Sequence, residues 1–277
     1  WNFYQMDPGI LRPGETRNES GVWNQSLEKL DDREHYLDSF LGNLKRTAYL
    51  DLIKRWGGAP TNGRVLKTDL FEEAMGPDAF LLELEGQLLV GMDVSSTAAE
   101  LANANDSGKR GKYVLADVRY LPFDRASIDL IVSPSTLDHF EQPADLGTSL
   151  RELRRVLARD GRLIITLDNK QNIFDPLLRA AARLGLIPFF IGKSYTIGEL
   201  ERELKAAGFD VSDRTAIVHN PRLTAVAAIA AARKVGWAPF TRLVHRALTS
   251  MQRFERSRWR YYTGCFVAAL AVPDNSE

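Results

Sequence analysis

Apolar residues follow two rhythms along this chain, and the change comes near residue 64. Before it, Leu37, Phe40, Leu41, Leu44, Ala48, Leu50 and Ile53 recur near helical spacing, which predicts an amphipathic helix. The Gly-Gly-Ala-Pro of residues 57–60 then breaks the chain. Beyond 64 the apolar residues gather into short runs: GRVLKT, QLLVGMDV, KYVLADV, SIDLIVSPS and GRLIITLDN. Helical patterns separate them, such as STAAELANAN and ADLGTSLRELRRVLARD. The second puts Leu146, Leu150, Leu153, Val156 and Leu157 on one face, with a stop expected at Asp160-Gly161. Strands alternating with helices imply parallel pairing through right-handed crossovers. The expected fold class is therefore α/β, a doubly wound, mostly parallel sheet.

Outside this region the patterning is looser. Residues 1–25 are rich in Gly, Pro, Asn and Glu with scattered aromatics and read as an irregular arm. Residues 175–184 are amphipathic, and LIPFFIG follows. Thr196 and Glu199 form a capping-box pattern that predicts a helix start, with Gly208 as its stop. FDVSDRTAIVH and TGCFVAALAVP read as further strands. Between them lie one long, Ala-rich, mildly basic helical pattern over 221–250 and the basic aromatic run RFERSRWRYY. The chain divides into an N-terminal arm and cap helix (1–60) and an α/β domain (61–277) with helical lid insertions near 170–195 and 220–260.

Composition narrows the classes of function. In 277 residues, 36 Lys and Arg balance 36 Asp and Glu, so no global field favours nucleic acid. The single cysteine, Cys265, lies in an apolar run and reads as a small buried hydrophobe. It excludes an internal disulfide framework and a cysteine-rich metal site, and no dense His/Asp/Glu cluster suggests a metal. No basic end with an apolar core opens the chain, so no signal peptide is expected and a cytoplasmic location is. No run of about 18 apolar residues predicts a membrane span.

Ligands of open parallel sheets bind beyond the carboxyl ends of the strands. Asp93 follows QLLVGM, Asp117 follows KYVLA, and Ser133-Pro134-Ser135 follows IDLIV. A carboxylate only accepts hydrogen bonds, so an acid in the place of Asp93 suits the two vicinal hydroxyls of a ribose. Asp117, with the backbone amide of Val118, suits an adenine amino group and its neighbouring ring nitrogen. Asp93 is also a plausible helix N-cap before VSSTAAEL. The pair of acids, one strand apart, favours ligand binding.

These residues carry a resemblance. VGMDVS, ADVRYLPFDRASIDLIVSPSTLDHF and LRELRRVLARDGRLIIT together resemble the class I S-adenosylmethionine-dependent methyltransferases, and among them the ubiquinone and menaquinone branch. Asp117, Leu121, Pro122, Phe123 and Asp129 fill that branch's D-x-x-x-L-P-F-x-x-x-x-F-D pattern, with Ile128 in place of its second aromatic. The similarity covers about residues 64–217, and the last strand fits the family's antiparallel seventh. The resemblance implies a Rossmann-like, seven-stranded sheet with S-adenosylmethionine as cofactor. It makes Asp93 the ribose acid with Val94 beside it, Asp117 and Val118 the adenine pair, and Ser133 part of the pocket lining. His139 becomes the candidate general base, in a place where Asp138 replaces the family's usual Glu.

One stretch departs from the family. Its glycine-rich turn after the first strand is replaced here by VLKTDLFEEAMG. Three readings stay open. In the first, the turn follows another path, with Asp69 or Glu72 meeting the cofactor's ammonium and Lys67 or Thr68 its carboxylate; in the second, the pocket takes a demethylated or other nucleotide-like ligand; in the third, the fold is a non-catalytic scaffold. A dinucleotide-dependent oxidoreductase ranks lower, because the turn lacks G-x-G-x-x-G. Trp23, Tyr36, Phe174, Phe189, Phe190, Trp237 and Phe240 are expected lid residues over a small or lipid-like substrate. His219 is expected in a surface or capping role and His245 on a solvated basic face. The basic amphipathic run near 233–262 could touch a membrane surface.

Overall fold

The computed structural model describes residues 38–58, 63–76, 78–140, 142–184 and 192–274. The expected arm, Trp23, Tyr36, Leu37, Phe189 and Phe190 lie outside them. Helix α1 (Ser39–Trp56) starts where Asp38 accepts hydrogen bonds from the amides of Phe40 and Leu41. The sheet then builds from β1 (Arg64–Lys67), β2 (Leu88–Asp93), β3 (Gly111–Leu115), β4 (Ile128–Pro134), β5 (Leu157–Asp168), β6 (Phe209–Ile217) and β7 (Phe266–Pro273). Its order is β3-β2-β1-β4-β5-β7-β6. All neighbouring pairs are parallel except those of β7, which runs antiparallel to both β5 and β6. The doubly wound, seven-stranded sheet expected from the sequence is the one observed.

The continuous apolar runs are explained by burial on both faces of the sheet. Leu163, Ile165 and Leu167 of β5 and Val267, Ala269 and Ala271 of β7 join one core. There they meet Leu146, Leu150 and Leu153 of α4 (Pro143–Val156) and Leu200 and Leu204 of α6 (Ile197–Ala206). Ile164, Ala268 and Leu270 face the opposite core, packed against Tyr49, Leu52 and Trp56 of α1 and Ala98 and Ala102 of α3 (Ser96–Asn105). The Thr196–Glu199 capping box forms as expected, each side chain bonded to the other's amide.

Two boundaries differ from the expected ones. Helix α4 stops at Val156, four residues before Asp160, because Leu157 already pairs with Ile128 of β4. The long pattern over 221–250 is two helices, α7 (Arg222–Val235) and α8 (Ala238–Met251). Gly236 separates them with a left-handed φ of 65°, a conformation that side chains disfavour. The remaining helices are short: α2 (Phe71–Met75), α5 (Asp175–Arg183) and α9 (Arg260–Thr263).

Candidate cofactor cleft

Strands β1, β2, β3 and β4 end on one edge of the sheet, and the residues that follow them line a single cleft. It is an open hollow that encloses about 750 Å³ including its mouth. Thr68 and Asp69 come from the end of β1, Asp93 and Val94 from β2, Asp117 and Val118 from β3, and His139 from the turn after β4. Seven of the nine expected site residues therefore meet there. Phe71, Arg119, Thr136 and Phe140 line it as well.

Lys67 is not one of the lining residues, and the expectation that it holds a ligand carboxylate is corrected. Its side chain is fully buried. Its ammonium donates to the Asp69 carbonyl and to Glu72 and Glu73, each at 2.7 Å, and lies 4.7 Å from the Phe80 ring centroid. All three donors of the lysine are thereby spent. Lys45 of α1 reaches Glu72 at 2.7 Å and Asp78 at 3.1 Å. Burial alone would push the Glu72 carboxyl up, but Lys45 and Lys67 outweigh it and hold the group well below the usual carboxylate range. Glu72 is consumed by this network and does not meet the cleft. Ser133 is also fully buried; it accepts the Thr68 hydroxyl at 2.9 Å and so fixes Thr68, rather than lining the cleft itself.

Up to Met75 the glycine-poor turn folds without glycine's special backbone, and Gly76 ends α2 with a φ of 97°. Among the described residues, positive φ occurs at Lys109, Ala126, Ser135, Val218 and four glycines, none of them within 67–75. Instead the glycine stands on the neighbouring strand. A Cβ on Gly91 of β2 would lie 2.4 Å from the Leu70 Cδ2 and 2.9 Å from that of Leu81. Leu70, fully buried, fills the space that the missing side chain leaves. Gly91→Val is expected to destabilise the fold by about 1–3 kcal/mol through overpacking. The check is urea denaturation with a Leu70→Ala partner: the double variant should lose less than the sum of the singles.

The turn's amides are spoken for as well. Asp69 Oδ1 accepts from the Phe71 amide at 2.7 Å, and Asp93 Oδ2 from the Leu70 amide at 3.0 Å. Asp93 Oδ1 accepts from the Ser95 amide at 2.8 Å, and Ser95 in turn caps α3 through the Ala98 amide. Asp93 thus ties the first turn to the second rather than serving as the cap itself. Each of its oxygens keeps a lone pair for a further donor. Burial raises the Asp93 carboxyl above its ordinary range, against the pull of the Ser95 and Leu70 amides. Asp69 is raised too, by burial and then by Glu72. Two partly buried acids facing one cleft favour a ligand that brings positive charge.

The end of the cleft beside β3 was only half legible. Asp117 is held by Arg119, which donates to it from Nε at 2.9 Å and Nη2 at 2.7 Å. Arg119 also reaches Asp145 at 2.9 Å and lies 5.4 Å from the Phe140 ring centroid. Sequence reading passed over Arg119, although an arginine two residues after a strand-end acid is the available signal. Thr136, whose hydroxyl is 3.1 Å from that of Thr68, was missed as well.

At the fourth strand, His139 lines the cleft, and its Nε2 is 3.9 Å from Oδ1 of the buried Asp138. Asp138 Oδ2 accepts from Ser135 and from the Asp168 amide at 2.6 Å. Burial pushes the Asp138 carboxyl up, eased by His139 and reinforced by Asp168. His219 and His245 differ from expectation. His219 is buried, its ring nitrogens 2.9 Å from the Thr263 hydroxyl and the Ala216 carbonyl. His245 is half-buried, stacked on Phe40 with centroids 3.7 Å apart. Of the lid residues, Phe174 lines a smaller hollow beside Arg222 and Cys265, while Trp237 is exposed. Cys265 is buried as expected. Among the described residues no cluster of His, Cys, Asp and Glu could hold a metal ion, and no helix is long and apolar enough to cross a membrane.

Strand order, the antiparallel seventh strand and the position of the cleft define the fold of a class I methyltransferase. Residues 72–165 match the family model of a methyltransferase domain. No curated protein matches the chain in sequence. Solved structures share its fold. The cyclase SpnF superposes with a TM-score of 0.55 at 18% identity, over 81% of this chain and 80% of that one. A S-adenosylmethionine-dependent methyltransferase from Thermotoga maritima gives 0.54 at 15% identity, over 91% and 96%. Geranyl diphosphate C-methyltransferase from Streptomyces coelicolor, in complex with S-adenosylhomocysteine, gives 0.54 at 10%, over 81% and 76%. At these identities the likeness is one of fold.

Proposed function

We propose that this protein transfers the methyl group of S-adenosylmethionine to a small or lipid-like acceptor. The observation that carries the reading is the placing of Asp93 and Asp117, one strand apart, in a single cleft with Thr68, Asp69 and His139. The match to a methyltransferase domain family model over residues 72–165 supports it.

The residues present fit the cofactor by their chemistry. Asp93 has acceptor capacity left for ribose hydroxyls. Asp69 offers a carboxylate to the ammonium, and the Thr68 and Thr136 hydroxyls are donors for the carboxylate. Val118 supplies apolar lining and a backbone amide at the adenine end, and Val94 adds to the apolar lining. Asp117 would join them by accepting the adenine amino group in place of one of the Arg119 hydrogen bonds. The cofactor supplies an activated methyl group on a cationic sulfur. The protein's part is to hold the acceptor in line with it, which is worth several orders of magnitude by orientation alone. His139 accepts the acceptor's proton as the new bond forms, and the imidazolium that results faces the nearby Asp138 carboxyl.

Titration calorimetry with S-adenosylmethionine and S-adenosylhomocysteine is the primary test; no heat at millimolar cofactor would sink the reading. Once an acceptor is found, His139→Asn is expected to lower kcat about a hundredfold. Cofactor affinity should be unchanged. The alternative is a non-catalytic binding protein, favoured by the hold of Arg119 on Asp117; cofactor binding without turnover on any acceptor would select it.

A further inference from the structure

The chain's balanced charge conceals a segregated one. From Thr215 to Phe254 it contains no aspartate or glutamate. Between 215 and 273, nine Lys and Arg stand against Glu255 alone, in a chain with 36 residues of each sign. This basic segment contains the α7–α8 hairpin, whose inner face is already satisfied: Val244, Leu248 and Met251 pack on Ala225, Ile229 and the start of α1. Its outer side is both basic and apolar. Trp237 at the corner is 61% exposed, Val235 beside it 59% and Leu243 on α8 63%. Lys234 precedes Val235, Arg242 and Arg246 lie one residue before and three after Leu243 on α8, and all three are exposed. Arg233 is paired with Asp38, but among the described residues these three have no ion-pair partner.

We propose that the α7–α8 hairpin is a docking surface for an anionic lipid bilayer. The charge is complementary to acidic headgroups, each basic side chain adding to attraction at such a surface. A tryptophan flanked by aliphatic residues suits the boundary between headgroups and acyl chains. A nucleic acid would use the charge and could stack on Trp237, but it has no use for exposed Val235 and Leu243. Topology gives the docking a consequence. Strand β6 runs parallel to β5, since both are antiparallel to β7, so α7 leaves the sheet on the same edge as the cleft. Arg222, at the start of α7, bonds Asp168 at the end of β5. A docked hairpin therefore brings the cleft's edge towards the lipid; that a lipid-like acceptor is delivered this way rests on the proposed methyl transfer, whereas the docking does not.

The test sediments the full chain, without cofactor, with phosphatidylcholine vesicles and with vesicles that also contain phosphatidylserine. Binding is expected only to the second kind, weakening as salt is raised. Lys234→Glu/Arg242→Glu/Arg246→Glu should lower the partition coefficient about a hundredfold or more. Trp237→Ser/Leu243→Ser should lower the partition coefficient on the phosphatidylserine vesicles as well, at unchanged charge. Both variants should melt like the wild type, since all five side chains are exposed. Equal binding to neutral vesicles, no binding to either kind, or a duplex oligonucleotide bound equally well by wild type and Trp237→Ser/Leu243→Ser would overturn the proposal. None of these outcomes bears on cofactor binding, which calorimetry reads separately.

Discussion

Lys67→Met is expected to cost about 3–5 kcal/mol of folding stability, the typical penalty for removing one partner from a buried ion pair. Methionine matches the length of the lysine stem, so packing against Phe80 is largely kept. What disappears is the charge between Glu72 and Glu73, both of them buried. Glu72 still has Lys45, and Glu73 Oε1 still accepts from the amides of Phe80 and Leu81 at 3.2 and 3.0 Å. Among the described residues, the carboxylate oxygens that faced the ammonium have no other cation. A second substitution, Glu73→Gln in the Lys67→Met background, should therefore recover a substantial part of the loss. The pH dependence has a definite sign. Because Glu72 is held below its unfolded value, its contribution is fully present above the ordinary carboxylate range and is lost as pH falls through the folded value. Removing Lys67 shrinks that contribution. The gap between wild type and variant should be widest at neutral pH and narrow in acid. Urea midpoints measured at both pH values check this, and a gap of under 1 kcal/mol at neutral pH would contradict the account, that being the scale of an exposed pair.

The same lysine shows where the sequence stops being legible. Strands and their order follow from apolar runs and from the resemblance, because parallel strands buried on both faces cannot be mistaken for solvent-exposed ones. The side of the sheet end on which a polar residue falls does not follow. Lys67 and Thr68 are adjacent, one turned into the core and the other towards the cleft, and only the register of β1 against β2 and β4 separates them. A lysine followed five and six residues later by two glutamates is a readable sign of an internal network, since the short helix α2 brings both back over the strand end. The missing glycines had the reverse effect. They drew attention to the turn, while the compensating residue, Gly91, sat unremarked inside an apolar strand. Asp117 was legible as a strand-end acid, but its occupation by Arg119 depends on the side-chain geometry of the turn after β3.

Asp93→Ala is expected to lower affinity for S-adenosylmethionine by at least a few hundredfold. The estimate takes two hydrogen bonds from ribose hydroxyls to a charged acceptor, at about 1.5–3 kcal/mol each. The carboxylate also accepts from the Leu70 and Ser95 amides, so the variant should lose stability as well, by about 1–3 kcal/mol if those donors are left unsatisfied. The two losses must be separated. Asp93→Asn is no clean control, because its NH₂ would face one of the same two amides. Calorimetry at a temperature where circular dichroism shows the variant folded provides the separation, with adenosine as a second ligand. Adenosine lacks the amino-acid half, so its binding reports the ribose and adenine contacts without Asp69, Thr68 or Thr136. If Asp93 holds the ribose, affinity for adenosine and for the full cofactor should fall by the same factor. A variant that melts earlier yet binds both ligands as the wild type does would leave Asp93 as a tie between the first two turns. The nucleoside half of the cleft would then have to be assigned to other residues.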